Sequence, residues 1–145
     1  MRILIADDDL TSRTLLASML KKAGHEVVST TSGQEAWLAL QKPDAPRLAI
    51  LDWMMPAMDG LEVVRRVRGL QTDSPPHLIM LTTRGDASDA ITALASGAND
   101  YLAKPFAFGD LMARIEVGRR MVEMQERLAA QSRERAPGLA AYEGI

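Results

Sequence analysis

At 145 residues the chain is long enough for one domain and too short for two ordinary ones. Apolar residues make up 47% and charged residues 25%, a globular composition, and 17 Lys plus Arg against 19 Asp plus Glu leave a net charge of −2. That balance supplies no basic surface for nucleic acid or an anionic membrane, and the absence of cysteine removes disulfides, thiolate zinc sites and a cysteine nucleophile.

In chain order, Arg2 to Ala6 reads as a first strand. Thr11 to Ala23 carries Leu15, Leu16, Met19 and Leu20 at helical spacing, with Gly24 as a stop. Glu26 to Thr30 is a second, shorter strand. Ser32 is placed to cap a helix bearing Ala36, Trp37 and Leu40, with Pro43 beyond its end. Leu48 to Leu51 is the third strand. A loop with Pro56 and Asp59-Gly60 leads into a short helix, Leu61 to Val67. Pro75-Pro76 precedes the fourth strand, His77 to Leu81. A weaker helix, Ser88 to Ser96, closes at Gly97. Tyr101 to Ala103 is the fifth strand. A last helix begins near Phe108 and is expected to run to Arg135, stopped by Pro137-Gly138.

Five strands alternating with five helices argue an α/β fold with a parallel sheet. The strand runs are apolar without alternation, as expected of strands buried on both faces. The doubly wound order 2-1-3-4-5 accommodates them; it is carried over from known folds of this type. The N-terminus reaches three aspartates after four apolar residues, which is no secretion signal, and no apolar run approaches the roughly 20 residues of a membrane span. The expectation is a cytoplasmic protein that binds neither membrane nor nucleic acid.

Four of these strands run into polar residues. Ile3-Leu4-Ile5-Ala6 meets Asp7-Asp8-Asp9, Leu48-Ala49-Ile50-Leu51 meets Asp52, Leu78-Ile79-Met80-Leu81 meets Thr82-Thr83, and Tyr101-Leu102-Ala103 meets Lys104-Pro105. Ligands of open parallel sheets bind beyond the carboxyl ends of the strands, so these residues are expected along one edge. Clustered carboxylates repel unless neutralised, and an all-oxygen site suits Mg²⁺, with Mn²⁺ an acceptable substitute. Asp52 stands alone at a central strand end and is the best nucleophile, since carboxylates form aspartyl phosphates. Lys104 offers a point charge and Thr82 a hydroxyl to phosphoryl oxygens. Asp9, just before a helix, is better read as a cap than as a ligand. His25 and His77 are expected at the surface, Trp37 as packing, and the nine methionines mostly as core filler.

Residues 1 to 116 resemble the receiver domain of two-component response regulators. The likeness rests on Ile5-Ala6-Asp7-Asp8-Asp9, the run Leu51-Asp52-Trp53-Met54-Met55-Pro56-Ala57-Met58-Asp59-Gly60, Leu81-Thr82-Thr83, and Asp100-Tyr101-Leu102-Ala103-Lys104-Pro105-Phe106. It implies a flavodoxin-like receiver fold with an extended C-terminal helix, and Asp52 accepting a phosphoryl group from a sensor histidine kinase or phosphotransfer protein. It implies Mg²⁺ held by Asp7, Asp8 and Asp52 with the Met54 backbone carbonyl. Thr82, Thr83 and Lys104 would bind the phosphoryl group, Thr82 and Tyr101 would form the switch pair, and Lys104-Pro105 would be a cis peptide. Asp9, Met54 and Arg84 would flank the site. Family members commonly carry Ala or Gly where this chain has Thr83, and the larger residue would narrow access to Asp52. The switched surface would be the one formed by the fourth helix, fifth strand and fifth helix, read by an output domain or a separate effector.

Residues 117 to 145 form a tail. Val117, Met121, Met124 and Leu128 are spaced 4, 3 and 4 apart, a heptad stripe. It reads either as a coiled-coil linker that pairs two copies more tightly on phosphorylation, or as an amphipathic face folded onto its own receiver. Two other functions compete. Asp7-Asp8-Asp9-Leu10-Thr11 fits the D-x-D-x-T nucleophile motif of haloacid-dehalogenase-like phosphatases, although that reading leaves Asp52 idle. The other is a receiver-like dimerisation module that performs no phosphoryl transfer. The expectation is a signalling domain, not an enzyme.

Overall fold

The computed structural model describes residues 1–83 and 85–143, with side chains described through 134. Arg84 lies outside the described residues. The elements are β1 (Arg2–Ala6), α1 (Leu10–Lys22), β2 (Glu26–Thr30), α2 (Gly33–Leu40), β3 (Leu48–Asp52), α3 (Gly60–Arg68), β4 (His77–Thr82), α4 (Ala87–Ala95), β5 (Asp100–Ala103) and α5 (Phe108–Glu143). The five strands form one parallel sheet in the order β2-β1-β3-β4-β5. Central β1, β3 and β4 are buried almost throughout, whereas the edge strands β2 and β5 are only partly covered. Their unbroken apolar runs follow from helices lying on both faces.

Helices α2, α3 and α4 cover one face. Ala36, Leu40, Val63, Val64 and Ala93 pack there against Leu4, Leu51 and Met80. Helices α1 and α5 cover the other, where Leu16, Leu20, Leu111 and Ile115 meet Ile3, Ile50 and Ile79. The helix starts are fixed by side-chain caps. Asp9 accepts from the Ser12 amide at 2.8 Å, Ser32 from Glu35 at 3.1 Å and Asp59 from Glu62 at 2.9 Å. Each satisfies an amide that the first helical turn leaves without an intrahelical acceptor. Glu35 reaches back to the Thr31 amide at 3.0 Å, which tightens the entry to α2.

Several expectations shift. Asp52 and Thr82 are the last residues of β3 and β4 rather than the first of their loops, because the ladder continues through them. α5 does not stop at Pro137-Gly138 but extends to Glu143. Proline's fixed φ is itself helical, so the residue lowers helix propensity without excluding the conformation. Leu15 and Met54 are exposed, so not every apolar residue of the helical pattern and not every methionine fills the core.

His77, expected at the surface, is buried at 8% exposure. α5 passes directly over it. A Cβ on Gly118 would lie 2.7 Å from His77 Cδ2 and 2.8 Å from Leu48 Cδ1, so only glycine lets the helix approach this closely. Burial pushes the His77 imidazole below its ordinary value near 6.5, with Asp100 opposing and Arg68 reinforcing the shift. A histidine with a depressed folded-state value takes up protons more readily when unfolded. Its contribution to stability is therefore present above about pH 6.5 and is lost as pH falls below it. Denaturant titrations at pH 7.5 and 5.5 should show lower stability at the acid end, and His77→Gln should reduce the difference.

Beyond Gly118 the helix stays on its own domain. Val122 is buried, Glu126 pairs with Arg47 at 3.3 Å and Arg133 with Asp73 at 3.3 Å. The docked face is thus Leu111, Ile115, Gly118 and Val122. The stripe Val117, Met121, Met124 and Leu128 is a different face, and it is left 43–59% exposed.

Candidate functional site

The sheet register assembles the site. Ala6 pairs with Leu51, so Asp7 follows beside Asp52. Asp52 pairs with Leu81, so Thr82 is one step further on the neighbouring strand. Thr82 pairs with Ala103, which sets Lys104 just beyond. Asp7, Asp8 and Asp52 each offer a carboxylate oxygen within 4.8 Å of the others. Lys104 Nζ stands 3.3 Å from Asp52 Oδ2 and 3.6 Å from Asp7 Oδ2.

Backbone hydrogen bonds hold this edge in place. The Asp7 amide donates to Thr30 O at 3.2 Å, the Trp53 amide to Leu81 O at 3.0 Å, and the Lys104 amide to Thr82 O at 2.7 Å. The Gly60 amide donates to Trp53 O at 2.9 Å, which draws the N-terminus of α3 against the end of β3. The Asp9 amide donates to Asp7 Oδ1 at 2.9 Å, so one oxygen of Asp7 is oriented by the start of the α1 turn.

Electrostatically the site is short of positive charge. Burial pushes the Asp52 carboxyl above the usual carboxylate range; Lys104 pulls it back and Asp7 adds repulsion. Asp8 is exposed, Asp7 buried and Asp52 in between. Three carboxylates around one ammonium, all offering oxygen, fit a hard divalent cation such as Mg²⁺.

The other expected residues fall as follows. Asp9 is the α1 cap, and the Ser12 amide holds its carboxyl below the usual range. Thr82 is fully buried while Thr83 is exposed. The Lys104-Pro105 peptide is cis. Met54 lies exposed two residues past Asp52. Tyr101 is half-buried and meets Trp53 edge-on, ring centroids 6.4 Å apart and planes at 90°. Two participants escaped the sequence. Trp53, the residue after Asp52, meets the Tyr101 ring. Arg13, one turn into α1, donates to the Asp7 carbonyl at 2.8 Å and braces the loop that presents the acids.

The geometry suits a carboxylate that receives a phosphoryl group, and comparison with known proteins agrees. The family model for the response regulator receiver domain matches residues 3–116. The chain belongs to this family. A chemotaxis protein CheY homolog of Campylobacter jejuni is 38% identical over 80% of this chain and 90% of its own length. The phosphate regulon transcriptional regulatory protein PhoB of Rhizobium meliloti is 40% identical over 79% of this chain, which spans 50% of PhoB. Among solved structures, the beryllofluoride-activated N-terminal receiver domain of Klebsiella pneumoniae RstA superposes with a TM-score of 0.74. It is 30% identical, over 81% of this chain and 97% of that one. The protein is therefore a receiver domain of two-component response regulators with the doubly wound fold expected, a signalling domain by family. The phosphatase alternative is not favoured: Asp9, the second acid of its motif, is spent on capping α1. Among the described residues no helix is long and apolar enough to cross a membrane.

Proposed function

We propose that Asp52 is the phosphoacceptor of this receiver. The supporting observation is its position: a half-buried carboxylate ending a central strand, beside two further carboxylates and within 3.3 Å of Lys104 Nζ. An Asp52 oxygen attacks the phosphorus of a phosphohistidine on a sensor kinase or phosphotransfer protein. An O–P bond forms, the N–P bond breaks, and the imidazole leaves with the electron pair. Lys104 binds one phosphoryl oxygen, and the hydroxyl of Thr82 donates to another. Asp7, Asp8 and Asp52, with the Met54 carbonyl, would hold Mg²⁺. When bound, the cation neutralises the carboxylates and the charge gathering on the phosphoryl oxygens. Thr83 and Met54 border the approach to Asp52 and restrict water.

Phosphorylation adds about one to two negative charges and three acceptor oxygens at Asp52. Thr82 moves toward them. Tyr101, resting edge-on against Trp53, turns into the space released, and the surface of α4, β5 and α5 changes. Residues 117–143 act as a helical extension that transmits the change to an output domain or separate effector and pairs two copies more tightly in the phosphorylated state. The support for pairing is the exposed stripe that the receiver leaves uncovered. The protein works in the cytoplasm, where such kinases deliver their phosphoryl groups. Phosphoramidate with Mg²⁺ should add one phosphoryl group by intact mass, and chelating the cation should prevent it. An unmodified mass with Mg²⁺ present would remove the reading.

A further inference from the structure

The α5 extension has one flank against its own domain and one flank open, and that asymmetry bears on how a second copy seats. With Met121 and Leu128 at a and Val117 and Met124 at d, the e positions are Gly118, Gln125 and Ser132. All three are uncharged. Gly118 is pressed on His77, and Gln125 and Ser132 line a recess of about 400 Å³ between α5 and the loop before β4. Leu128, Pro75 and Asp73 line the same recess. The g positions on the opposite flank are Arg120, Arg127 and Glu134, all exposed, with Arg127 4.0 Å from Glu123 on its own helix.

We propose that the stripe binds a second copy of this chain in parallel, with Arg127 of each copy seated on Asp73 of the other. This rests on the pairing of copies described under the proposed function. In a parallel two-stranded coil, a g residue faces the e residue five positions further along the other helix, so Arg127 meets Ser132. Beside Ser132 stands Asp73, whose carboxylate is 70% exposed; Arg133 meets its Oδ2 at 3.3 Å and the Ser74 hydroxyl donates to its Oδ1 at 3.5 Å. A carboxylate has about four lone-pair sites, so a second guanidinium is accommodated. An antiparallel pair instead sets g against g and brings Arg120 against Arg127. Charge thus favours one orientation and opposes the other, and the partner's flank complements a carboxylate supplied by a receiver loop, not by the helix.

The orientation is testable by sign. Sedimentation equilibrium of the full chain, with beryllofluoride and Mg²⁺ as the phosphoryl mimic, measures the dimer constant. Arg127→Asp should weaken association several-fold, since it sets Asp against Asp73. Asp73→Arg should weaken it too, and the double variant Arg127→Asp/Asp73→Arg should recover most of the loss. If Arg127→Asp tightens the dimer, the helices are antiparallel and the proposal is wrong. If it changes nothing, Arg127 does not meet Asp73, and the proposal is equally wrong. A parent protein that stays monomeric with the mimic overturns the pairing of copies itself. Because the chain has no cysteine, Leu128→Cys gives an independent reading. A parallel pair brings the two thiols together, and mild oxidation should give a disulfide dimer. An antiparallel pair holds them apart.

Discussion

Asp52→Asn should reduce labelling by phosphoramidate to background and, in the same protein, raise the melting temperature in the absence of divalent cations. The first effect follows from chemistry: an amide oxygen at this place is no nucleophile toward phosphorus. The second follows from the charge balance. The Asp52 carboxyl is held above its ordinary value near 3.8, first by burial and further by Asp7, with Lys104 opposing. A group whose folded-state value is raised lends stability at low pH and loses it as pH rises through that value. At neutral pH the ionised Asp52 is therefore a cost to folding, and the neutral amide removes it. For a domain of this size, each 1 kcal/mol is worth about 3 °C in Tm. Mg²⁺ should stabilise the parent more than the variant, because less repulsion is left for the cation to relieve. Scanning calorimetry with and without Mg²⁺ reads both terms. A fall in Tm would mean that the Lys104–Asp52 attraction outweighs burial and repulsion. Equal labelling of the variant would move the acceptor to another acid, Asp7 first.

The strand ends of the site are legible in the chain because parallel strands buried on both faces must be continuous apolar runs. The point where such a run meets an aspartate, threonine or lysine is then visible as a break. Register turns four separate breaks into one edge: Asp7 beside Asp52, then Thr82, then Lys104. The elements themselves are legible for local reasons. Asp9, Ser32 and Asp59 cap three helices through their own side chains, and Gly24 and Gly97 take the positive φ that closes α1 and α4.

What was hidden depends on contacts made over long sequence distances. His77 looks like a polar start to an apolar strand, and its burial is decided by α5 returning 41 residues later at Gly118. Two apolar sets interleave along α5, and spacing alone cannot say which one docks. Leu111, Ile115 and Val122 win because the sheet and helix packing seat them, which strands the heptad stripe on the outside. Arg13 was invisible because its partner is a backbone carbonyl, and every residue has one. Trp53 stands in the run that carries the family likeness with no role of its own until Tyr101 is found edge-on to it.

The second large effect is expected at Gly60, where propensity and packing disagree about the sign. Alanine is favoured over glycine by up to about 1 kcal/mol inside a helix, so Gly60→Ala at the first turn of α3 reads as harmless or stabilising by sequence. A Cβ on Gly60 would instead lie 2.3 Å from the Asp52 carbonyl oxygen, 3.0 Å from its carbon and 3.1 Å from Met80 Sδ. The first two are backbone atoms of a central strand and cannot step aside. The Gly60 amide also donates to Trp53 O at 2.9 Å, so α3 cannot back away without losing that bond. Overpacking of this kind costs roughly 1–3 kcal/mol or more, which exceeds the propensity gain. Gly60→Ala should therefore destabilise the protein and, by displacing the Asp52 backbone, slow phosphorylation of whatever remains folded. Gly109→Ala is the matched control, because an added Cβ there meets nothing within 4 Å and the helix gains propensity. Urea unfolding of both variants, with labelling rates measured well below the unfolding transition, separates the two contributions. A Gly60→Ala protein as stable and as quickly labelled as Gly109→Ala would show that α3 is not pressed against the acceptor strand.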